Sequence, residues 1–220
     1  MPRCLARDIL EELKSLSNPK NVEGMARFGI NPRNTLGVPI PVLRKIARRT
    51  GRDHAVAHVL WSSGIHEARI LAGMVDDPGL VTPRQMDLWA EGFDSWDTCD
   101  QVCSNLFSYT GAAHKKTFEW SGRKEEYVKR AGFALMACLA VHDKKAKDAA
   151  FMRYFPVIKR ESRDERNYVR KAVNWALRQI GKRNARLRKA ALKTAKEIYS
   201  TDSKAARWIA SDAIRELEKR

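Results

Sequence analysis

Apolar residues recur along nearly the whole chain at the three-to-four-residue spacing of amphipathic helices. Helix-breaking residues fall between these stretches, as at Asn18-Pro19, Asn31-Pro32 and Asp77-Pro78-Gly79. Alternating strand patterns are nearly absent. Helices are therefore predicted, within about two to four residues at each end, over 3–16, 19–28, 39–50, 53–62, 65–75, 83–93, 96–108, 111–121, 124–141, 145–160, 163–181, 184–199 and 203–219.

A similar phrase recurs on three of these helices, at 42–47, 169–173 and 187–191: an apolar residue, then Arg-Lys, then further apolar residues. Helix pairs that repeat about every 35–45 residues are typical of HEAT-like arrays. The pattern predicts an all-α fold, a HEAT-like helical repeat solenoid of antiparallel helix pairs with a concave basic face. A chain of 220 residues is expected to form one domain over 1–220.

Basic charge is concentrated in the C-terminal third. The chain has 42 Lys and Arg against 26 Asp and Glu, a formal net charge of +16. Residues 151–220 hold 20 basic and 8 acidic residues, whereas residues 1–150 hold 22 and 18. So uneven a distribution favours a polyanionic partner, either nucleic acid or an anionic membrane surface.

Trp175 lies outside the core-facing stripe of its own predicted helix. Apolar residues within 169–180 form one continuous stripe, and Trp175 lies roughly 130° from its middle. Lys171, Arg178 and Lys182 share that outer side. An aromatic ring among cations suits a surface that binds a polyanion. From this segment alone, packing against a neighbouring helix is an equally good interpretation.

The segment 93–103 places three carboxylates beside an aromatic residue. Trp96 and Asp100 are four residues apart, so they share one helix face at the edge of an apolar stripe. Asp94 or Ser95 is expected to cap this helix, but Asp100 is a full turn inside it. A carboxylate beside a tryptophan can stabilise a developing cation or orient a water. The alternative is a salt bridge to one of the many arginines.

Arg130 leads into the apolar run 131–139, which is predicted to be the most buried helix. Near a helix N-terminus, an arginine and backbone N–H groups can together hold a phosphate. An ion pair with Glu125 or Glu126 is the alternative.

Several other chemistries lack their motifs. The chain has no Walker loop, GxGxxG or nucleophile elbow, and His54 and His58 lack the glutamate of a zinc protease between them. Cys99 and Cys103 are predicted to be buried core thiols, because nothing nearby completes a zinc site. No metal or other cofactor is expected.

Membrane and export signals are missing as well. The longest apolar runs are too short for a transmembrane helix, and the early charges argue against a signal peptide. Four cysteines do not make a disulfide framework in a chain of this length. A reducing cytosol is therefore expected.

Three motifs carry a family resemblance: Trp96-Asp97-Thr98-Cys99-Asp100, Lys129-Arg130-Ala131, and Arg-Lys-Ala-Val-Asn-Trp-Ala-Leu-Arg at 170–178. In combination they resemble the AlkD-like DNA alkylation repair family. Residues 18–28 and 36–39 are similar too, so the resemblance covers essentially the full chain.

The resemblance implies a HEAT-like, monofunctional, metal-independent DNA glycosylase that releases positively charged N3- or N7-alkylated purines in base excision repair. By motif position, it implies that Asp100 is the catalytic carboxylate, Trp96 and Trp175 the site tryptophans, and Arg130 the site arginine. The cations expected to bind DNA phosphates are Arg130, Lys171, Arg178 and Lys182.

Two points leave an alternative open. Phe28 departs from the tyrosine expected of a relative, and some branches of the family lack glycosylase activity. The alternative is a non-catalytic HEAT-repeat protein that binds distorted or branched DNA, although this gives Asp100 no purpose. A third interpretation is a protein-binding helical scaffold, whose affinity for nucleic acid would depend little on salt concentration.

We expect a monomer that acts on double-stranded DNA containing alkylated bases and not on membranes. The expected location is the cytoplasm, in association with the nucleoid when the protein is bound to DNA.

Overall fold

The computed structural model describes residues 2–219, and these form helices with no strand. The helices are α1 (Pro2–Ser15), α2 (Pro19–Arg27), α3 (Ile40–Thr50), α4 (His54–Ser62), α5 (His66–Val75), α6 (Pro83–Glu91), α7 (Trp96–Asn105), α8 (Ala113–Ser121), α9 (Glu126–His142), α10 (Asp148–Met152), α11 (Tyr154–Glu161), α12 (Asn167–Lys182), α13 (Ala185–Tyr199) and α14 (Lys204–Leu217). The all-α prediction is confirmed.

The predicted helix over 145–160 is wrong in one respect, because it is divided at Arg153 into α10 and α11. Pro156 explains the break, since it has no N–H to donate to the carbonyl of Met152, as a continuous helix would require. The helix predicted over 96–108 also ends early, at Asn105, and a 3₁₀ turn at Phe107–Tyr109 follows it.

Side chains satisfy the first backbone N–H groups of several helices. Asn18, Asp53, Thr82, Asn184 and Ser203 each accept a hydrogen bond from the backbone N–H three residues further along. Each such cap contributes about 1 kcal/mol to helix stability. The turn residues in the sequence therefore fix where these helices begin.

Internal contacts divide the chain into two compact units, Met1–Thr110 and Gly111–Arg220. In the first unit, α5 packs against α1, α3, α4 and α7. In the second, α9 packs against α8 and α12, and α12 also packs against α13 and α14. Residues 131–140 of α9 are all buried, as the apolar run predicted. The prediction of a single domain over 1–220 stays a prediction.

Among the described residues, no helix is both long and apolar enough to cross a membrane.

Gly132 sets how closely α9 approaches α8. A Cβ atom at this position would lie 2.7 Å from the backbone nitrogen of Ser121, closer than atoms in contact can come. The backbone of α8 would have to move to make room. A glycine is therefore required here by packing, within the buried segment of α9.

Gly132→Ala should lower the free energy of unfolding by about 1–3 kcal/mol, the usual range for overpacking a core. Gly122→Ala is the matched control, because nothing lies within 4 Å of a Cβ atom there and φ is −93°. Urea unfolding of both variants measures the difference. Equal stability of the two variants would contradict the close α8–α9 approach.

Candidate functional site

Trp96 and Asp100 lie one turn apart on α7, in the first unit. The buried face of α7 consists of Thr98, Cys99, Val102 and Cys103. This face packs against α5, where a Cβ atom at Gly73 would lie only 3.0 Å from Val102 Cγ2. Trp96 and Asp100 are left partly buried at the edge of that contact. The interpretation of Cys99 and Cys103 as buried core thiols is confirmed.

The start of α7 is tied to the loop that follows α2. The indole Nε1 of Trp96 donates to the carbonyl oxygen of Phe28 at 3.1 Å. Asn31 donates its backbone N–H to Ser95 Oγ at 2.8 Å and its side-chain amide to Asp94 Oδ2 at 2.9 Å. Ser95 occupies the N-cap position, but no side chain caps α7. One of the two expected residues, Ser95, therefore is the N-cap residue, but its hydroxyl accepts from Asn31 and makes no cap hydrogen bond.

Phe28, whose carbonyl oxygen accepts the Trp96 hydrogen bond, is itself 75% exposed at the C-terminal end of α2. An aromatic ring kept in water gains nothing from the core. An apolar ring is thus exposed at the residue whose backbone anchors Trp96.

His66 supports the first turn of α7 from α5. Its Nε2 lies 2.9 Å from Asp97 Oδ2, and its Nδ1 lies 3.3 Å from the hydroxyl oxygen of Thr98. Burial alone would lower the pKa of His66, but the hydrogen bond to Asp97 and the charges of Asp97, Glu67 and Asp94 outweigh it and raise the pKa. A protonated ring donates from both nitrogens and so can satisfy both partners.

Arg130 lies in the second unit and is deeply buried, with 6% of the residue exposed. Its Nη1 donates to the carbonyl oxygen of Tyr168 at 2.6 Å. Tyr168 is the second residue of α12, so Arg130 fixes the position where that helix begins. Glu125, one of the ion-pair partners considered, is bound instead by Arg123 at 2.7 Å. The phosphate-binding role of Arg130 stays a prediction.

Trp175 lies on α12, partly buried and off the core stripe as predicted. The residues buried on this helix are Val169, Ala172, Val173, Asn174, Ala176, Leu177, Ile180 and Gly181. Within residues 2–219, the indole N–H of Trp175 has no protein acceptor, in contrast to that of Trp96. The indole N–H of this partly buried ring is therefore not used within the described part of the chain.

The three cations predicted beside Trp175 have different surroundings. Lys171 is exposed and has no acidic partner in the described part of the chain. Arg178 binds Glu216 at 2.6 Å and Asp212 at 3.3 Å, and Lys182 also binds Glu216. Arg178 and Lys182 can therefore bind a phosphate only if they bind it together with these carboxylates or release the carboxylates first.

Two acidic residues on α14, Asp212 and Glu216, were not predicted from the sequence as partners of these cations. Burial alone would raise the pKa of Glu216, but its hydrogen bonds with Lys182 and Arg178 and their charges lower it. The carboxylate thus stays ionised. The sequence did hold a clue to these ion pairs. Asp212 and Glu216 are four residues apart, which matches the spacing of Arg178 and Lys182.

The predicted site residues therefore form two groups, each within one unit. Trp96 and Asp100 lie together on α7. Lys171, Trp175, Arg178 and Lys182 lie on α12, and Arg130 holds the start of that helix.

The pKa of His66, raised above its ordinary value of 6.5, predicts a pH-dependent stability. The charged form stabilises the fold fully below pH 6.5, and this contribution is lost as the pH rises through the raised pKa. His66→Gln should therefore cost most stability in acid, and the difference from wild type should shrink as the pH rises. Urea unfolding between pH 5.5 and 8.5 measures this. A difference that does not change with pH would show that the buried ring is neutral throughout.

The comparisons with known proteins point to one family. The family model described as DNA alkylation repair enzyme matches residues 9–217. A solved structure described as "a new family of proteins related to the HEAT-like repeat DNA glycosylases with affinity for branched DNA structures" covers 96% of this chain and 94% of its own, with a TM-score of 0.77 and 20% identity. That likeness shows a HEAT-like fold. No curated protein matches the chain. Because the family model spans nearly all of it, the chain belongs to the DNA alkylation repair enzyme family.

Proposed function

We propose that this protein is a DNA glycosylase that hydrolyses the N-glycosidic bond of positively charged N3- or N7-alkylated purines. Membership of a DNA alkylation repair family supports a repair role on DNA. The observation that carries the finer proposal is Asp100, a partly buried carboxylate held one turn inside α7 beside Trp96. Asp100 lies a full turn inside α7, so it is not the N-cap residue, and a carboxylate at that position can stabilise positive charge that develops on a sugar bound beside Trp96.

The protein does not need to protonate the base, because an alkylated purine cation is already a good leaving group. The bond between C1′ and the purine nitrogen breaks, and its electron pair goes to the base, which leaves as a neutral molecule. The sugar becomes oxocarbenium-like, and the ionised Asp100 stabilises that charge. A water then adds to C1′ and gives up a proton, which Asp100 can accept. The products are the free base and an abasic sugar.

The aromatic side chains supply contacts to the DNA. In the first unit, the anchored Trp96 and the exposed Phe28 present ring faces suited to the apolar face of a deoxyribose or a base. In the second unit, Trp175 offers a ring face together with an indole N–H that no described residue uses. Lys171 next to it can bind a phosphate without first giving up an acidic partner.

The proposed setting is the cytoplasm, with the protein bound to nucleoid DNA as a monomer.

A second candidate function is non-catalytic binding of branched DNA. The similar solved structure, whose description gives affinity for branched DNA structures, favours it. This function needs the basic charge and the exposed rings but no carboxylate. Base release and binding of a four-way junction, measured on the same preparation, discriminate between the two functions.

Asp100→Asn should slow the release of N7-methylguanine from duplex DNA by about 100- to 1000-fold, the range found when one preorganised electrostatic group is removed from an active site. Asp8→Asn makes the same charge change at an exposed position of α1 and should release base at the wild-type rate. Single-turnover assays with excess protein measure both rates. Equal release by Asp100→Asn and wild type would remove Asp100 from the mechanism.

Trp175→Ala should weaken binding to alkylated duplex DNA by about 5- to 150-fold, which corresponds to the loss of one aromatic contact of about 1–3 kcal/mol. Trp208→Ala is the control, because Trp208 is an exposed tryptophan of the same unit that packs under Arg170. Fluorescence anisotropy with labelled duplex measures both affinities. If the two variants bind equally well, the ring of Trp175 does not contact DNA.

A further inference from the structure

A pocket of about 480 Å³ opens between the C-terminal ends of α9 and α12, and its wall is rich in cations. Its charged lining residues are Lys144, Lys147, Lys182, Arg183 and Asp148. We propose that this pocket binds a backbone phosphate of the DNA that flanks the lesion. The inference rests on the proposed function, because it assigns where the second unit holds the same duplex.

Arg183 lines the pocket and is held by neutral groups. Its Nη1 donates to the carbonyl oxygen of Ala140 and its Nη2 to that of Ala146, both at 3.0 Å. Its guanidinium lies 4.3 Å from the ring centre of Phe151. These partners are neutral, so they hold the group in place without cancelling its charge. They also fix the segment between α9 and α10, which carries the two pocket lysines.

Lys144 and Lys147 are exposed, and neither side chain has a hydrogen-bond or ion-pair partner among residues 2–219. The pocket therefore holds three cations that lack an acidic partner, since Lys182 already shares Glu216. Asp148 is the opposing charge, and its carboxylate accepts a hydrogen bond from the amide of Asn184 at 2.8 Å.

The positive charge at the pocket also affects the neighbouring residue His142. Burial and then the positive charge of Lys144 lower the pKa of His142, at the end of α9. The smaller of these two causes, the positive charge of Lys144, also favours an anion bound nearby.

The position of the pocket points to DNA as the source of the phosphate. Lys182 and Trp175 are seven residues apart on α12, so they lie on the same helix face, about 10 Å apart along the axis. Duplex DNA rises about 3.4 Å per base pair, so that distance spans about three base pairs. A strand that contacts Trp175 is thus within reach of the pocket a few nucleotides away.

The double variant Lys144→Ala/Lys147→Ala tests the proposal with unmodified duplex DNA. Loss of one phosphate contact should reduce the slope of log affinity against log salt by about 1 and should weaken binding several-fold at low salt. Lys115→Ala/Lys159→Ala removes the same charge from the same unit, at lysines already paired with Glu119 and Glu197. This control should keep the wild-type slope. Equal slopes for the two double variants would overturn the proposal.

A second arm separates DNA from a lipid headgroup, which carries the same phosphate chemistry. The variants are titrated with vesicles of phosphatidylcholine containing phosphatidylserine. If the pocket variant loses vesicle binding while its salt slope on DNA is that of wild type, the pocket binds lipid and the proposal fails.

Failure of the glycosylase proposal would be seen separately, in base release by the wild-type protein. A reduced slope for the pocket variant in a protein that releases no base would leave the phosphate pocket standing and remove the enzyme. Base release by the wild-type protein, with no change of salt slope in the pocket variant, would support the enzyme and overturn the phosphate pocket.

Discussion

Packing of α12 against its neighbours gives this helix one face for the core and one for ligands. Val169, Val173, Leu177 and Ile180 are fully buried, and each contributes about 1.5–3 kcal/mol through its removal from water. Rotating α12 far enough to bury Trp175 would expose several of these side chains, at a cost that one indole ring cannot offset. The buried stripe therefore holds Trp175 outward and sets the line on which Lys171 and Lys182 lie.

The positive charge of the C-terminal third is less available than its count suggests. Glu216 and Asp212 on α14 bind Arg178 and Lys182, so part of the excess is used to hold α14 against α12. Ionic contacts of this kind contribute modestly to stability, but they compete directly with phosphates for the same cations. Among the cations of the described residues that have no acidic partner are Lys171 and the pocket residues Lys144, Lys147 and Arg183. Such cations can bind a phosphate without giving up an ion pair, so their positions bear more on DNA binding than the formal net charge does.

Local patterns predicted most of the fold, because helix period, caps and prolines act over a few residues. They also placed Trp96 and Asp100 on one helix and Trp175 off its core stripe. What they missed depends on partners distant in the chain. The bond from Trp96 to the carbonyl of Phe28 and the bond from Arg130 to Tyr168 join residues 68 and 38 positions apart. No periodicity reveals such a partner: the sequence suggested a phosphate or Glu125 or Glu126 as the partner of Arg130, and its hydrogen bond to the carbonyl of Tyr168 was missed.

The central claim is that the leaving base must already carry positive charge, since Asp100 can stabilise the sugar but no group has been assigned to protonate the base. The most direct test compares base release by the wild-type protein from two duplexes, one with N7-methylguanine and one with its neutral isostere 7-methyl-7-deazaguanine. The account predicts release of the cationic base, no release of the neutral one, and equal binding of the two duplexes. Binding of both duplexes without release of either base would contradict it and would leave a protein that binds DNA without catalysis.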